Sequence, residues 1–232
     1  PGGETAIERA MTEQVTAIVT MTGASDLGVV LTRFAADLID YQHAALARGY
    51  LADVRQVAEA ETAAAAGSSK LTRAAADSLY HLLAYKDEYE VARLMLDDEG
   101  LASVADAIDG PIKARWQLHP PILRSMGMDR KIAIPTWMSP GIRLLAKGKR
   151  LRGSKLDVFG YAGVRKIERA MIPEYRVALG QITSTLTADN LGEATRLAAL
   201  AQEVRGYEHL KLERAAEYRE ALASGLDHLS RG

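Results

Sequence analysis

Residues 79–96 read L-Y-H-L-L-A-Y-K-D-E-Y-E-V-A-R-L-M-L. Neither Gly nor Pro interrupts them and strong helix formers run throughout, so they predict one helix, the second half of a longer one from Lys70 to Leu96. At about 100° per residue, Leu79, Leu82, Leu83 and Leu94 fall on one side, together with Lys86, Glu90 and Arg93. Three charges therefore sit on the stripe that a helix buries. Lys86 and Glu90 are four apart, and Glu90 and Arg93 three apart, which are pairing distances. The cluster reads first as an ion network that fixes helix packing. A site facing a neighbouring domain is the second reading, and a catalytic role within this chain the third. Asp87 and Glu88 point elsewhere on the wheel and are expected in solvent.

Working outward toward the N-terminus, Ile7 to Met21 predicts a short helix weakened by its threonines. Gly23-Ala24-Ser25-Asp26 breaks it, with Ser25 or Asp26 as N-cap. Leu27, Leu31, Phe34, Leu38 and Tyr41 then form a narrow apolar seam suited to another helix. Gly49 is expected as a kink or C-cap. An Ala-rich helix from Tyr50 to about Ala66 ends at Gly67-Ser68-Ser69. These helices are expected to pair as antiparallel hairpins.

Toward the C-terminus, Leu101 to Ile108 is expected to add two turns, and Asp109-Gly110-Pro111 is a strong turn signal. Ile112 to Leu118 alternates apolar and polar residues, which predicts a strand, with Lys131 to Ile134 as its partner. A short helix follows from Ile142 to about Lys147. Tyr161 to Thr185 predicts a long helix, kinked or divided at Pro173. Thr187-Ala188-Asp189-Asn190 caps a shorter helix through Leu200. The last helix runs from about His209 to Ala223, with a frayed tail after Gly225. The expected fold class is mostly α: a helical bundle with a small antiparallel β-ribbon near residues 112–134. The expected divisions are 1–26, 27–110, 111–160 and 161–232, with 27–232 packed as one domain.

The composition narrows the function classes. With 232 residues, 48% hydrophobic and 25% charged, the chain is long enough for a sizeable core. Its 29 basic and 30 acidic residues leave a formal charge of -1, so no global field favours nucleic acid or an anionic membrane. It has no cysteine, which removes disulfides, a thiol nucleophile and the thiolates an iron–sulfur cluster needs. No apolar run reaches the ~18 residues of a transmembrane helix. The start, P-G-G-E-T-A, lacks the pattern of a signal peptide and an initiator Met. A cytoplasmic location, and a chain that is a piece of something longer, are the expectations.

Two further groups of residues are candidates. Arg143, Lys147, Lys149, Arg150, Arg152 and Lys155 form a basic run with no acid between Gly141 and Lys155. It reads as a solvated surface aided by a helix dipole, or as an anion site for a phosphate-bearing cofactor or an acidic partner. The five histidines lie far apart and none forms an H-E-x-x-H pair, so no metal site is expected. No G-x-G-x-x-G, P-loop or G-x-S-x-G motif is present.

Five separated motifs carry a resemblance. They are D-Y-Q (40–42), L-L-A-Y-K-D-E-Y-E-V-A-R-L (82–94), W-Q-L-H-P-P (116–121), P-T-W-M-S-P-G-I-R-L-L-A-K-G-K-R-L-R-G-S-K-L-D-V-F-G-Y (135–161) and E-V-R-G-Y-E-H-L-K (203–211). In this order they resemble the helical C-terminal region of the long, single-chain indolepyruvate ferredoxin oxidoreductases, members of the 2-oxoacid:ferredoxin oxidoreductase group. The resemblance covers roughly Leu27 to Ala223. Glu208 departs from it, standing where the family usually has Gly.

That resemblance implies a parent enzyme that oxidatively decarboxylates arylpyruvates to acyl-CoA with thiamine diphosphate, coenzyme A (CoA) and iron–sulfur clusters, and passes electrons to ferredoxin. None of those cofactors is expected in this chain, which lacks the thiamine-type G-D-G…N-N stretch as well as cysteine. The implied role is a terminal, non-redox module, inactive alone, that docks on the upstream catalytic domains or assembles a homo-oligomer. The alternatives are a module completing the active site, with His119, Arg205, His209 and Lys211 lining a cleft and the basic run holding CoA phosphates, or a stand-alone helical binding protein. Convergence of those polar residues on one pocket separates them.

Overall fold

The computed structural model describes residues 5–95, 116–118, 132–134, 139–154, 156–157, 159–161, 163–206 and 208–231. Helix α1 (Ala6–Thr22) opens with a capping box, in which Glu8 N donates to the Thr5 hydroxyl and Thr5 N donates to the Glu8 carboxylate. The Thr12, Thr20 and Thr22 hydroxyls donate to carbonyls four residues back, so these threonines pair their donors within the helix they weaken. Helix α2 (Ser25–Tyr41) buries the whole seam Leu27, Leu31, Phe34, Leu38 and Tyr41. Its N-cap is Ala24, which has no capping side chain, rather than Ser25 or Asp26.

Helix α3 (Ala44–Ala64) begins earlier than expected and runs straight through Gly49. The break falls instead at Gln42–His43, where His43 Nδ1 accepts a hydrogen bond from Leu46 N at 3.1 Å. Helix α4 is Lys70–Leu83 and α5 is Glu88–Met95, so the single helix expected over 70–96 is two, separated by Ala84-Tyr85-Lys86-Asp87.

Two three-residue strands, β1 (Trp116–Leu118) and β2 (Ile132–Ile134), pair antiparallel with Trp116 opposite Ile134. The rest of the expected ribbon, and the turns expected at 101–108, lie outside the described residues, so a ribbon packed on the helices is not established. Among the described residues the fold is mostly helical.

Helix α6 (Ser139–Lys147) leads into 3-10 turns at Gly148–Leu151 and Phe159–Tyr161. Helix α7 (Gly163–Ser184) includes Pro173 without ending there. Helix α8 (Leu191–Ala199) is followed by a 3-10 turn at Leu200–Glu203. Helix α9 (Glu208–Arg231) continues well past the expected end at Ala223. Gly225 is a packing position rather than a fraying point: a Cβ there would lie 2.2 Å from Leu197 Cδ2.

The chain divides into two compact units, Pro1–Ala84 with Ile167–Gly232, and Tyr85–Lys166. This differs from the four segments read from the sequence. In the first unit, Ile18, Leu27, Leu31, Leu38, Leu51, Leu71, Leu79, Met171, Tyr175, Ile182 and Leu197 are fully buried in one cluster. Each such side chain is worth about 1.5–3 kcal/mol of transfer free energy. Met11, Val15 and Ile18 of α1 belong to the same core, so α1 is not a separate extension. Phe34 stacks on Tyr80 at 3.8 Å, and the Tyr50 and Tyr175 hydroxyls donate to the Ala76 and Ala198 carbonyls.

Candidate functional site

The second unit holds a buried charge cluster. Asp87 lies just before α5, and its Oδ1 accepts a hydrogen bond from Glu90 N at 2.9 Å. That is a cap, which satisfies a first-turn amide. The same carboxylate takes Arg152 Nε and Nη2 at 2.5 and 2.7 Å. Asp87 is 3% and Arg152 7% exposed. The expectation that Asp87 and Glu88 are solvated is therefore wrong for both: Glu88 is 4% exposed, its Oε2 3.6 Å from Arg165 Nε. Arg165 also donates to the Lys86 carbonyl at 3.0 Å, which pins the turn between α4 and α5.

Burial raises the Glu88 carboxyl above its ordinary value, against the opposing pull of Arg165. In the same unit, Asp157 accepts from Gly153 N and Gly160 N. Tyr89 packs edge-on against Phe159, and burial followed by the Asp157 charge pushes its phenol up to about 12.

The predicted cluster Lys86–Glu90–Arg93 exists only in part. Arg93 makes a two-pronged contact with Glu90 at 2.9 and 2.7 Å, but Lys86 is exposed, because the helix breaks where the wheel assumed continuity. The basic run divides too. Arg143, Lys147 and Arg150 are exposed, Lys149 is half-buried, Arg152 is consumed by Asp87, and Lys155 lies outside the described residues.

In the first unit, Arg205 is exposed and donates to the Gln202 carbonyl. His209 is 86% exposed beside Glu213. Lys211 pairs with the buried Glu168 at 2.5 Å. His119 lies outside the described residues. A residue the sequence reading passed over, His81, sits 3.1 Å through Nε2 from the Val204 carbonyl. Burial lowers its pKa, and the nearby Arg205 and Lys211 act the same way.

Among the described residues, none of the candidates named from the sequence lines an open cleft of about 450 Å³ in the first unit, which is bounded by Asp26, Lys70, Arg73, Asp77, Thr195 and Gln202. Among the described residues no three His, Asp or Glu side chains are grouped to hold a metal ion, and no helix is long and apolar enough to cross a membrane. Of the basic segment, Arg152 is the described guanidinium that is buried, and it already has a carboxylate partner.

A protein-family model described as a family of unknown function (DUF6537) matches residues 27–224. The chain belongs to that family. The match begins at the first residue of the α2 seam and covers the whole of the second unit and most of the first, including Asp87, Glu88, Arg152 and Arg165. Neither a curated protein nor a solved structure matches the chain.

The missed pair, Asp87 and Arg152, had one legible half. D-E-Y-E (87–90) carries the Asp-x-x-Glu spacing of a helix start, and that signal contradicts a continuous helix. Nothing local marks Arg152 as its partner 65 residues on.

Proposed function

We propose that this chain is the terminal, non-redox module of an indolepyruvate/2-oxoacid:ferredoxin oxidoreductase, and that it serves domain docking or dimer assembly. The five ordered motifs support the assignment. One observation supports the scaffold role over a share in the active site: three of the polar motif residues are tied off internally. Lys211 is held by Glu168, Arg205 by a carbonyl, and Arg93 by Glu90, while His209 stands in solvent. Groups that line a substrate cleft would converge on it instead.

The chain supplies no thiolate for a cluster. On this reading thiamine diphosphate, iron–sulfur clusters and CoA belong to the upstream catalytic domains, ferredoxin meets those domains, and the whole is cytoplasmic and homo-oligomeric.

The test is 2-oxoacid- and CoA-dependent electron transfer by the full-length polypeptide with and without residues 27–224. The expected outcome is that turnover per assembled, cofactor-loaded enzyme survives while assembly or stability falls. Loss of turnover in an assembled, fully loaded enzyme would overturn the scaffold role. Absence of any 2-oxoacid oxidation in the intact polypeptide would overturn the assignment itself.

A further inference from the structure

The segment from α6 to Asp157 is fixed from beneath. Ile142 is buried, and Gly148 lies so close to the Tyr89 ring that a Cβ would be 2.7 Å from Tyr89 Cε1. Arg152 is clamped by Asp87, and Asp157 holds the Gly153 and Gly160 amides. What this anchored backbone turns outward is cationic and apolar. Arg143, Leu144 and Lys147 fall within an arc of about 100° on α6. Leu144 is 73% exposed, and in the following turn Arg150 and Leu151 are exposed as well, Leu151 at 40%. The only carboxylate among the described residues of 139–161 is Asp157, which is buried. Within a chain of formal charge -1, the described residues of this segment thus turn cations and no carboxylate outward.

We propose that Arg143, Leu144, Lys147, Arg150 and Leu151 form the docking surface for an acidic protein surface outside residues 1–232. This rests on the docking role proposed above and names the chemistry of the partner. Charge complementarity selects the sign, because a row of exposed cations steers and registers a carboxylate-bearing face. The leucines select protein over a free phosphate, which would leave both in water. Arginine on a pinned backbone forms two-pronged bonds to carboxylates with little ordering cost. A nine-residue helix with one strongly exposed leucine gives an anionic membrane too little apolar surface to hold.

The experiment treats the native protein, with whatever chains accompany it, with a zero-length carbodiimide. This reagent joins a lysine amine only to a carboxylate in direct contact. The expected result is a cross-link from Lys147 to an Asp or Glu outside residues 1–232. It should be lost in R143E/R150E and lost at about 1 M salt, where screening acts over about 3 Å. The charge-matched control R9E/R48E should keep it, with circular dichroism unchanged in both variants.

Four results overturn the proposal. One is a Lys147 that stays uncoupled yet acylates freely. Another is a cross-link to a second, isotopically marked copy of residues 1–232. The third is a cross-link that survives both charge reversal and salt. The last is flotation of the protein with phosphatidylserine vesicles through this face. A charge-dependent cross-link to an outside carboxylate in a protein with no 2-oxoacid oxidation keeps this inference and removes the enzyme assignment. An uncoupled Lys147 in an enzyme that needs the module for assembly does the reverse.

Discussion

Arg152 closes on Asp87 through two parallel N–H···O bonds of 2.5 and 2.7 Å, both side chains almost wholly out of water. The same carboxylate caps α5 through Glu90 N, so one pair sets a helix start and anchors the turn after α6. Removing one partner strands a buried charge, and Arg152→Ala or Asp87→Ala should cost about 3–5 kcal/mol. Replacing both by apolar side chains of similar volume should restore most of that loss. Denaturant titration with hydrogen exchange across α5 is the measurement. A single substitution that leaves α5 protection unchanged would remove the pair from this role.

The seam of α2 was legible because its burial depends on local periodicity alone: Leu27, Leu31, Phe34, Leu38 and Tyr41 are buried as their spacing requires. The break at Ala84–Asp87 was legible only in part: D-E-Y-E (87–90) carries the spacing of a helix start, but nothing in L-A-Y-K forbids a helix. It is imposed by distant groups, Arg165 on the Lys86 carbonyl and Arg152 on Asp87. With the break, every residue beyond Ala84 rotates off the assumed wheel, which is why Lys86 faces solvent and Asp87 and Glu88 do not. The end of α9 was misread for a related reason. Gly225 reads as a stop locally, yet its lack of a Cβ serves the contact with Leu197.

Glu61 is fully buried with no cationic partner among the described residues, and its carboxylate caps α4 from α3. Ser68 Oγ and Leu71 N donate to one oxygen at 2.7 and 3.0 Å, and Thr72 N and Oγ1 to the other at 2.8 and 2.7 Å. Hydrogen bonds to a charged group are worth about 1.5–3 kcal/mol each and are not additive. Glu61→Ala should lose at least about 3 kcal/mol, with α4 the first helix to lose amide protection. A loss below about 1 kcal/mol would mean that water replaces the cap.

Glu88 predicts a pH dependence whose sign follows from its burial. Its carboxyl binds a proton more tightly folded than unfolded. As pH rises through the ordinary carboxylate range the unfolded chain ionises first, so this residue subtracts stability above that range and nothing below it. Glu88→Gln keeps the neutral form at every pH. It should therefore melt above the wild type at pH 7 and converge with it near pH 4, as differential scanning calorimetry across that range would register. Parallel melting curves at all pH values would mean that Arg165 fully compensates the burial.

His81 should titrate below 6.5, its ordinary value, because burial disfavours the imidazolium and Arg205 and Lys211 add to that, while the Val204 carbonyl and Glu168 oppose it. A base depressed in the folded state costs stability as pH falls below the unfolded value, since the unfolded chain takes up the proton first. An NMR titration of the ring protons reads the midpoint directly. Lys211→Gln should raise that midpoint by removing a cation. A midpoint at or above 6.5 would place the ring in water.

Gly225 of α9 lies close against Leu197 of α8. A Cβ at 225 would stand 2.2 Å from Cδ2 and 3.3 Å from Cδ1 and Cγ of a leucine that is fully buried. A free leucine would swing aside, but this one is enclosed by the core, so the helices must separate. Helix propensity favours Ala over Gly by about 1 kcal/mol. Overpacking costs about 1–3 kcal/mol. With the leucine held, the steric cost wins and Gly225→Ala should destabilise the fold, whereas Gly192→Ala on α8, where a Cβ meets nothing within 4 Å, should be neutral or stabilising. Thermal melts of the two variants give opposite signs if packing governs, and the same sign if helix propensity does.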